Sequence, residues 1–407
     1  MLVGKGTLRL TKSGGFNMEK RRAIYFLATS APHFLWGGLF ILSAFSVFLI
    51  RSQNFGFLLG MVMMTGWLSV LSAKFLMPLL SRFSAVRLYV TTQLIEVVLL
   101  LFFPFLISSK LSILFVLFFY ISGVLDETGK ITSPPIFKTL FEGDIHRNVS
   151  FSRMAHNGSR IFGILLAGIL FIFFGLDSYY IFAISLLISI LTMVWLPREI
   201  LVGERIGFWS QLKTGISEYR KVWVFAFLPA FALFSIIDSL YLLNVSTVMI
   251  SKMQIGSLSY GVFYSLLYGG GVVGAYLTQN LKLSRKKPLV LTFVIQPFLF
   301  IFVWIDSNYL IYVAMGVLVI VLASIGSTLN SIVILQSMRK ERVAIVFAIQ
   351  GFILAVTRVL GYVLGSVMIA LVNSQFIFFL MVIFSTGDAF IALTMSHWRF
   401  TIPVRSS

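Results

Sequence analysis

From residue 23 to residue 396 the chain is a succession of long apolar runs, each closed by a short polar break. An α-helix needs about 20 apolar residues to cross a bilayer, and in lipid a helix is the form that satisfies its backbone hydrogen bonds within one segment. The runs lie at 23–50, 56–80, 86–108, 111–136, 151–175 and 178–196, and again at 222–250, 256–281, 288–305, 308–337, 343–372 and 375–396. They predict an all-α integral membrane protein of about twelve transmembrane helices. Composition removes the soluble alternative. Of 407 residues, 58% are hydrophobic and only 11% charged, whereas a soluble domain carries about a quarter charged residues.

The net charge of +18 comes from 32 Lys and Arg against 14 Asp and Glu. No soluble basic domain is present to bind nucleic acid, and Lys and Arg collect in the cytoplasmic loops of membrane proteins. One set of loops holds only Arg51, Lys110 and Lys252. The alternate set holds the N-terminal cluster, Arg82 and Arg87, Lys138 to Arg153, Arg198 to Lys221, Lys282 to Lys287, Arg339 to Arg342, and Arg399 with Arg405. One missed span would scramble that alternation. We therefore expect a multi-pass protein of the cell membrane with both termini and the central linker cytoplasmic. The first run, Ala23 to Ile50, is too long for a signal-peptide core and is read as a retained span, with Met18 an alternative start. The expected organisation is a tail at 1–22, a six-helix bundle at 23–196, a linker at 197–221, a second six-helix bundle at 222–396 and a tail at 397–407.

The halves resemble each other. Phe55-Gly56 with Gly66 matches Tyr260-Gly261 with Gly271, and Ser81-Arg82 matches Ser284-Arg285. Ser159-Arg160-Ile161-Phe162-Gly163 matches Thr357-Arg358-Val359-Leu360-Gly361. The offsets, 205, 203 and 198, are each about half the chain. An even number of spans per half makes the repeats parallel, related by an axis along the membrane normal. Small residues cluster in the fifth span (Gly163, Ala167, Gly168), the eighth (Gly269 to Gly271, Gly274, Ala275) and the eleventh (Gly361, Gly365). They are expected to let helix backbones approach closely.

Two parallel six-helix repeats joined by a long middle loop resemble the major facilitator superfamily. The stretch from Tyr260 to Leu281 resembles that family's Gly-rich eighth helix, and Asn330 to Gly365 its tenth-to-eleventh helix passage, both in the manner of the multidrug and macrolide-efflux branch. The family's loop after the second helix usually carries Asp-Arg; here only Arg82 stands in register. The resemblance implies that spans one, four, seven and ten line a central cavity.

Ionisable residues inside spans are costly and are candidate functional groups. Asp126, Glu127 and Lys130 lie within one helical turn in the fourth span, and Arg160 in the fifth returns to a similar depth. Two acids beside two bases can exchange partners on protonation, so these four are candidates for proton coupling or substrate binding. Asp238 in the seventh span has no base at mirrored depth, and His33 in the first lies near Ser30 and Trp36. With Asn330 in the tenth, they complete the candidate set. Two static pairs are expected from hairpin depth: Lys74 with Glu96, each 11 residues from Ala85, and Arg358 with Asp388, each 15 residues from Asn373.

No Cys is present, so disulfides and thiolate chemistry are excluded. No phosphate-binding loop, metal-binding helix motif or nucleophile–base set is visible, and we expect neither cofactor nor metal nor enzymatic activity. The expectation is a monomeric secondary transporter, exporting lipophilic or drug-like small molecules against protons. Transport of a charged or polar metabolite, or a non-transporting membrane role, is the alternative.

Overall fold

The computed structural model describes residues 18–50, 54–80, 83–140, 145–196, 208–280, 286–306, 308–337 and 340–397; Arg82 and the side chains of Lys74 and Lys130 lie outside the described residues. The first half consists of α1 (Met18–Ile50), α2 (Phe55–Leu80), α3 (Ala85–Ser108), α4 (Ser112–Leu140), α5 (Ile145–Phe174) and α6 (Ser178–Met193). A short helix, α7 (Phe208–Tyr219), follows. The second half consists of α8 (Leu228–Thr247), α9 (Ser257–Asn280), α10 (Lys286–Ile305), α11 (Tyr309–Ser337), α12 (Lys340–Leu371) and α13 (Ser374–Ser396). Twelve of these match the predicted spans.

A stricter test of length and hydropathy passes ten segments among the described residues. The difference is physical. The segment Ala155–Met193 runs through the 3-10 turn at Gly175–Asp177 and so contains both α5 and α6. α9 is absent because five glycines and four tyrosines dilute its hydropathy.

Helix pairing repeats between the halves. In the first, α1 packs on α5 and α6, α3 on α4 and α6, and α2 on α4. In the second, α8 packs on α12 and α13, α10 on α11 and α13, and α9 on α11. Advancing each helix of the first half to its counterpart converts one set into the other. The principal seams between halves, α5 with α9 and α2 with α12, are also images of one another. That is the behaviour of parallel repeats about a two-fold axis.

Glycines allow the closest crossings. A Cβ at Gly163 would strike the Phe34 carbonyl of α1, and one at Gly361 would stand 2.9 Å from the Ile236 carbonyl of α8. These two positions are counterparts in the repeat. Both seams also close at the face where α5 and α12 end. There Ser257 Oγ donates to the Gly168 carbonyl at 2.9 Å. Across the other seam, a Cβ at Gly60 would overlap the Ser366 side chain and one at Gly56 would stand 2.5 Å from Ile369.

The linker holds a helix that the apolar runs do not reveal. Phe208, Leu212, Ile216 and Tyr219 recur at three- and four-residue spacing, giving α7 one apolar stripe. α7 lies against α12 and α2. Tyr219 is fully buried, while Trp209 is 74% exposed.

Candidate functional site

Between the halves lies a cavity of about 440 Å³. Residues of α1, α2, α4, α5, α8, α9, α11 and α12 line it; α3, α6, α10 and α13 contribute none of the lining residues. The wall is aromatic, with Trp36, Phe40 and Phe119 from the first half facing Tyr264, Tyr268 and Tyr362 from the second. Five ionisable side chains break it: Asp126 and Glu127 on α4, Arg160 on α5, Asp238 on α8 and Arg358 on α12. Four of the five were candidates on sequence grounds.

Arg358 is anchored on two sides. Its Nη2 lies 2.9 Å from Asp238 Oδ2, and its guanidinium sits 4.2 Å from the centre of the Trp67 ring, contributed by α2 of the other half. This corrects two expectations. Asp238 does have a basic partner, and Arg358 is not paired with Asp388. Equal distance from a hairpin turn fixes depth but not azimuth: α12 turns Arg358 toward α8 and α2, while α13 packs on α10 and α8. Asp388 is fully buried, and among the described residues neither of its oxygens has a hydrogen-bond partner.

Arg160 occupies the equivalent place in the first half. Its guanidinium lies 5.2 Å from the centre of the Tyr268 ring of α9, again a ring from the opposite half. The repeated Ser/Thr-Arg-x-x-Gly segments therefore put an arginine on an aromatic face across each seam. The Gly serves the crossing with α1 or α8, and the Arg, three residues earlier, points into the cavity.

Asp126 is 2% exposed and Glu127 is partly exposed, both on the cavity wall. The Lys130 side chain, read as their neighbour, lies outside the described residues. So does the Lys74 side chain, read as the partner of Glu96. Glu96 itself accepts from Gln93 Nε2 at 3.1 Å and from Ser122 Oγ at 2.9 Å. It serves the α3–α4 contact rather than the cavity.

Two candidates stand apart from the lining. His33 stacks on His156 of α5, with ring centres 4.2 Å apart, and His156 Nε2 lies 3.2 Å from Thr29 Oγ1. α1 and α5 run side by side, so His33 faces α5 rather than the cavity. Asn330 is 1% exposed on α11, ten residues beyond the lining residue Ile320. At 1.5 Å per residue that is about 15 Å along the helix.

Sequence reasoning missed Trp67 and Tyr268, the rings beneath the two arginines. Composition shows 42 Phe, 14 Tyr and 7 Trp but does not say which of them face the cavity. The available signal was indirect: once the Arg160 and Arg358 segments are read as a repeat, their environments should repeat as well. Among the described residues no group of three or more His, Asp and Glu is placed to hold a metal ion.

The sequence matches no protein family and no curated protein. Solved structures do match the fold. A mutant of the nucleoside transporter NupG superposes with a TM-score of 0.70 at 15% identity, covering 92% of this chain and 99% of that one. A bacterial homologue of the iron transporter ferroportin, in an inward-facing state, gives 0.69 at 12% identity, covering 93% and 99%. A transporter of the POT family, solved with a thioalcohol-conjugated peptide, gives 0.69 at 13% identity, covering 92% and 94%. Likeness at these identities establishes a shared architecture, and the chain has the major facilitator fold.

Proposed function

We propose that this protein is a secondary active transporter that carries an amphipathic small molecule through its central cavity by alternating access. The observation that carries the reading is the cavity itself. It lies between two structurally repeated halves, seven aromatic rings stand in its wall, and five ionisable groups from both halves converge on it. Such a wall suits a ligand with an apolar body, and the charged groups suit a polar head or a transferred proton. Proteins sharing this architecture include a nucleoside transporter, a homologue of the iron transporter ferroportin and a transporter in complex with a conjugated peptide. The lining, not the fold, must therefore select the substrate.

The movement follows from the seams. Rocking of one half against the other must part the crossings at Gly168 with Ser257 and at Gly60 with Ser366, which seal one face of the cavity. Those crossings bring backbone against backbone or small side chains, with no ion pair across them among the described residues. Proton coupling is assigned to the carboxylates of the cavity, Asp126, Glu127 and Asp238, and export is the direction implied by the resemblance to efflux proteins.

The test is substrate-elicited proton flux in proteoliposomes, with Asp126→Asn and Asp238→Asn beside the unaltered chain. Proton movement that disappears in either variant supports coupled transport and names the coupling acid. Substrate movement that is indifferent to the proton gradient in all three proteins would sink the coupling assignment.

A further inference from the structure

The two arginines of the cavity occupy equivalent places in the repeat, yet among the described residues only one has a carboxylate partner. Asp238 holds Arg358 at 2.9 Å. The matching crossings set Phe34 of α1 against Gly163 and Ile236 of α8 against Gly361. That register, an offset of 236 − 34 = 202, puts Trp36 where α8 has Asp238. The first half thus has an indole N–H where the second has a carboxylate.

Both groups at this place are donors without acceptors. Trp36 Nε1 is buried and, among the described residues, has no hydrogen-bond partner, so a ligand in the cavity reaches it only when the indole turns outward. Arg160 makes no ion pair among the described residues, its one recorded contact of charge being with the Tyr268 ring. The two adjoin: a Cβ at Gly37, next to Trp36, would stand 3.0 Å from Arg160 Cγ. Both line the cavity. Arginine keeps its charge at any working pH, and its planar fork matches a carboxylate. A permanent cation in a membrane interior calls for an anion.

We propose that the substrate is an organic anion, its carboxylate-like head held by the Arg160 guanidinium and the Trp36 indole N–H and its apolar body lying along Tyr264 and Tyr268. The assignment rests on the reading of the cavity as a substrate site. Asp126 and Glu127 share that cavity and favour cations, so the charge preference of binding decides between the two ends. Arg358 is not available to the anion while Asp238 holds it, which confines the head to the first half.

The experiment measures binding of radiolabelled naphthylacetate to the full chain in phosphatidylcholine vesicles, free of anionic lipid. Naphthylacetamide and naphthylethylamine serve as competitors with the same ring. The expected result is saturable binding of the carboxylate, about tenfold tighter than the amide and tighter still than the amine. Arg160→Gln should erase that preference, and Trp36→Phe, which keeps a ring and removes the N–H, should weaken carboxylate binding several-fold. Absence of saturable binding, equal binding of the three probes, preference for the amine, or a carboxylate preference that survives both substitutions would each overturn the proposal. Counterflow in the same vesicles separates the two readings. Carboxylate that binds but does not exchange would refute transport and leave the anion site standing. Exchange of the amine alone would do the reverse.

Discussion

The second half holds its arginine with a carboxylate, and the first, among the described residues, holds its arginine against a ring. Everything around them is shared: the Ser/Thr-Arg-x-x-Gly segment, the close crossing with α1 or α8, and the aromatic face supplied by the opposite half. What repeats is the packing, which fixes the fold. What differs is the compensation of charge, which under the proposed reading determines what the cavity accepts. The lesson is that a duplicated architecture can keep its steric frame and still differ, by Asp against Trp at one place, in whether the arginine of each half has a carboxylate partner.

The largest expected effect breaks the compensated side. Asp238→Ala leaves Arg358, whose side chain is 26% exposed, without its carboxylate, and the cost of about 3–5 kcal/mol for breaking a fully buried pair is the upper bound of the loss. Thermal unfolding in detergent should fall sharply, and the double variant Asp238→Ala with Arg358→Leu should recover most of the loss. Arg160→Leu, by contrast, should leave the unfolding temperature unchanged or raised. A matching loss at Arg160 would show that the two sites are alike after all.

Next in size is a lock on one seam. The chain has no Cys, so a pair introduced as Gly60→Cys and Ser366→Cys reports on α2 and α12 alone. The Cβ of residue 60 would stand 3.0 Å from that of Ser366, close to the separation of about 3.5–4.5 Å that a disulfide spans. Oxidation should stop substrate counterflow and reductant should restore it. Undiminished counterflow in the oxidised protein would mean that this seam does not part during the cycle.

The smallest effect sharpens the comparison between rings. Cation–π contacts contribute about 0.5–2 kcal/mol. Tyr268→Leu should weaken ligand binding by up to about tenfold, because among the described residues this ring is what holds the Arg160 guanidinium. Trp67→Leu should change it less, because Asp238 still fixes Arg358. Equal losses, measured by the same binding assay, would indicate that both arginines meet the ligand.

The sequence made the elements legible and the facing of their side chains illegible. Span limits followed from hydropathy, and the repeat offset anticipated the equivalence of Arg160 and Arg358. The error at Arg358 came from using depth alone: Asp388 is at the right height on the wrong side of α13. The stacking of His33 on His156 shows what extra information would have sufficed. Gly37 touches Arg160, a separation of 160 − 37 = 123 residues, and His156 − His33 is also 156 − 33 = 123. Knowing that α1 lies parallel to α5 would have placed the two rings together. α7 escaped because it is too short and too polar for a hydropathy search, although its stripe has the helical period.

The position of α7 gives the linker a role beyond connection. It rests on α12 and α2, the two helices whose seam must open and close. If the docking of α7 differs in strength between the two conformations, reciprocity requires that whatever detaches α7 also shifts the balance between them. The peptide joining the halves would then act as an external handle on the cycle. Trp209 of α7 is 74% exposed, which puts that handle within reach of solvent.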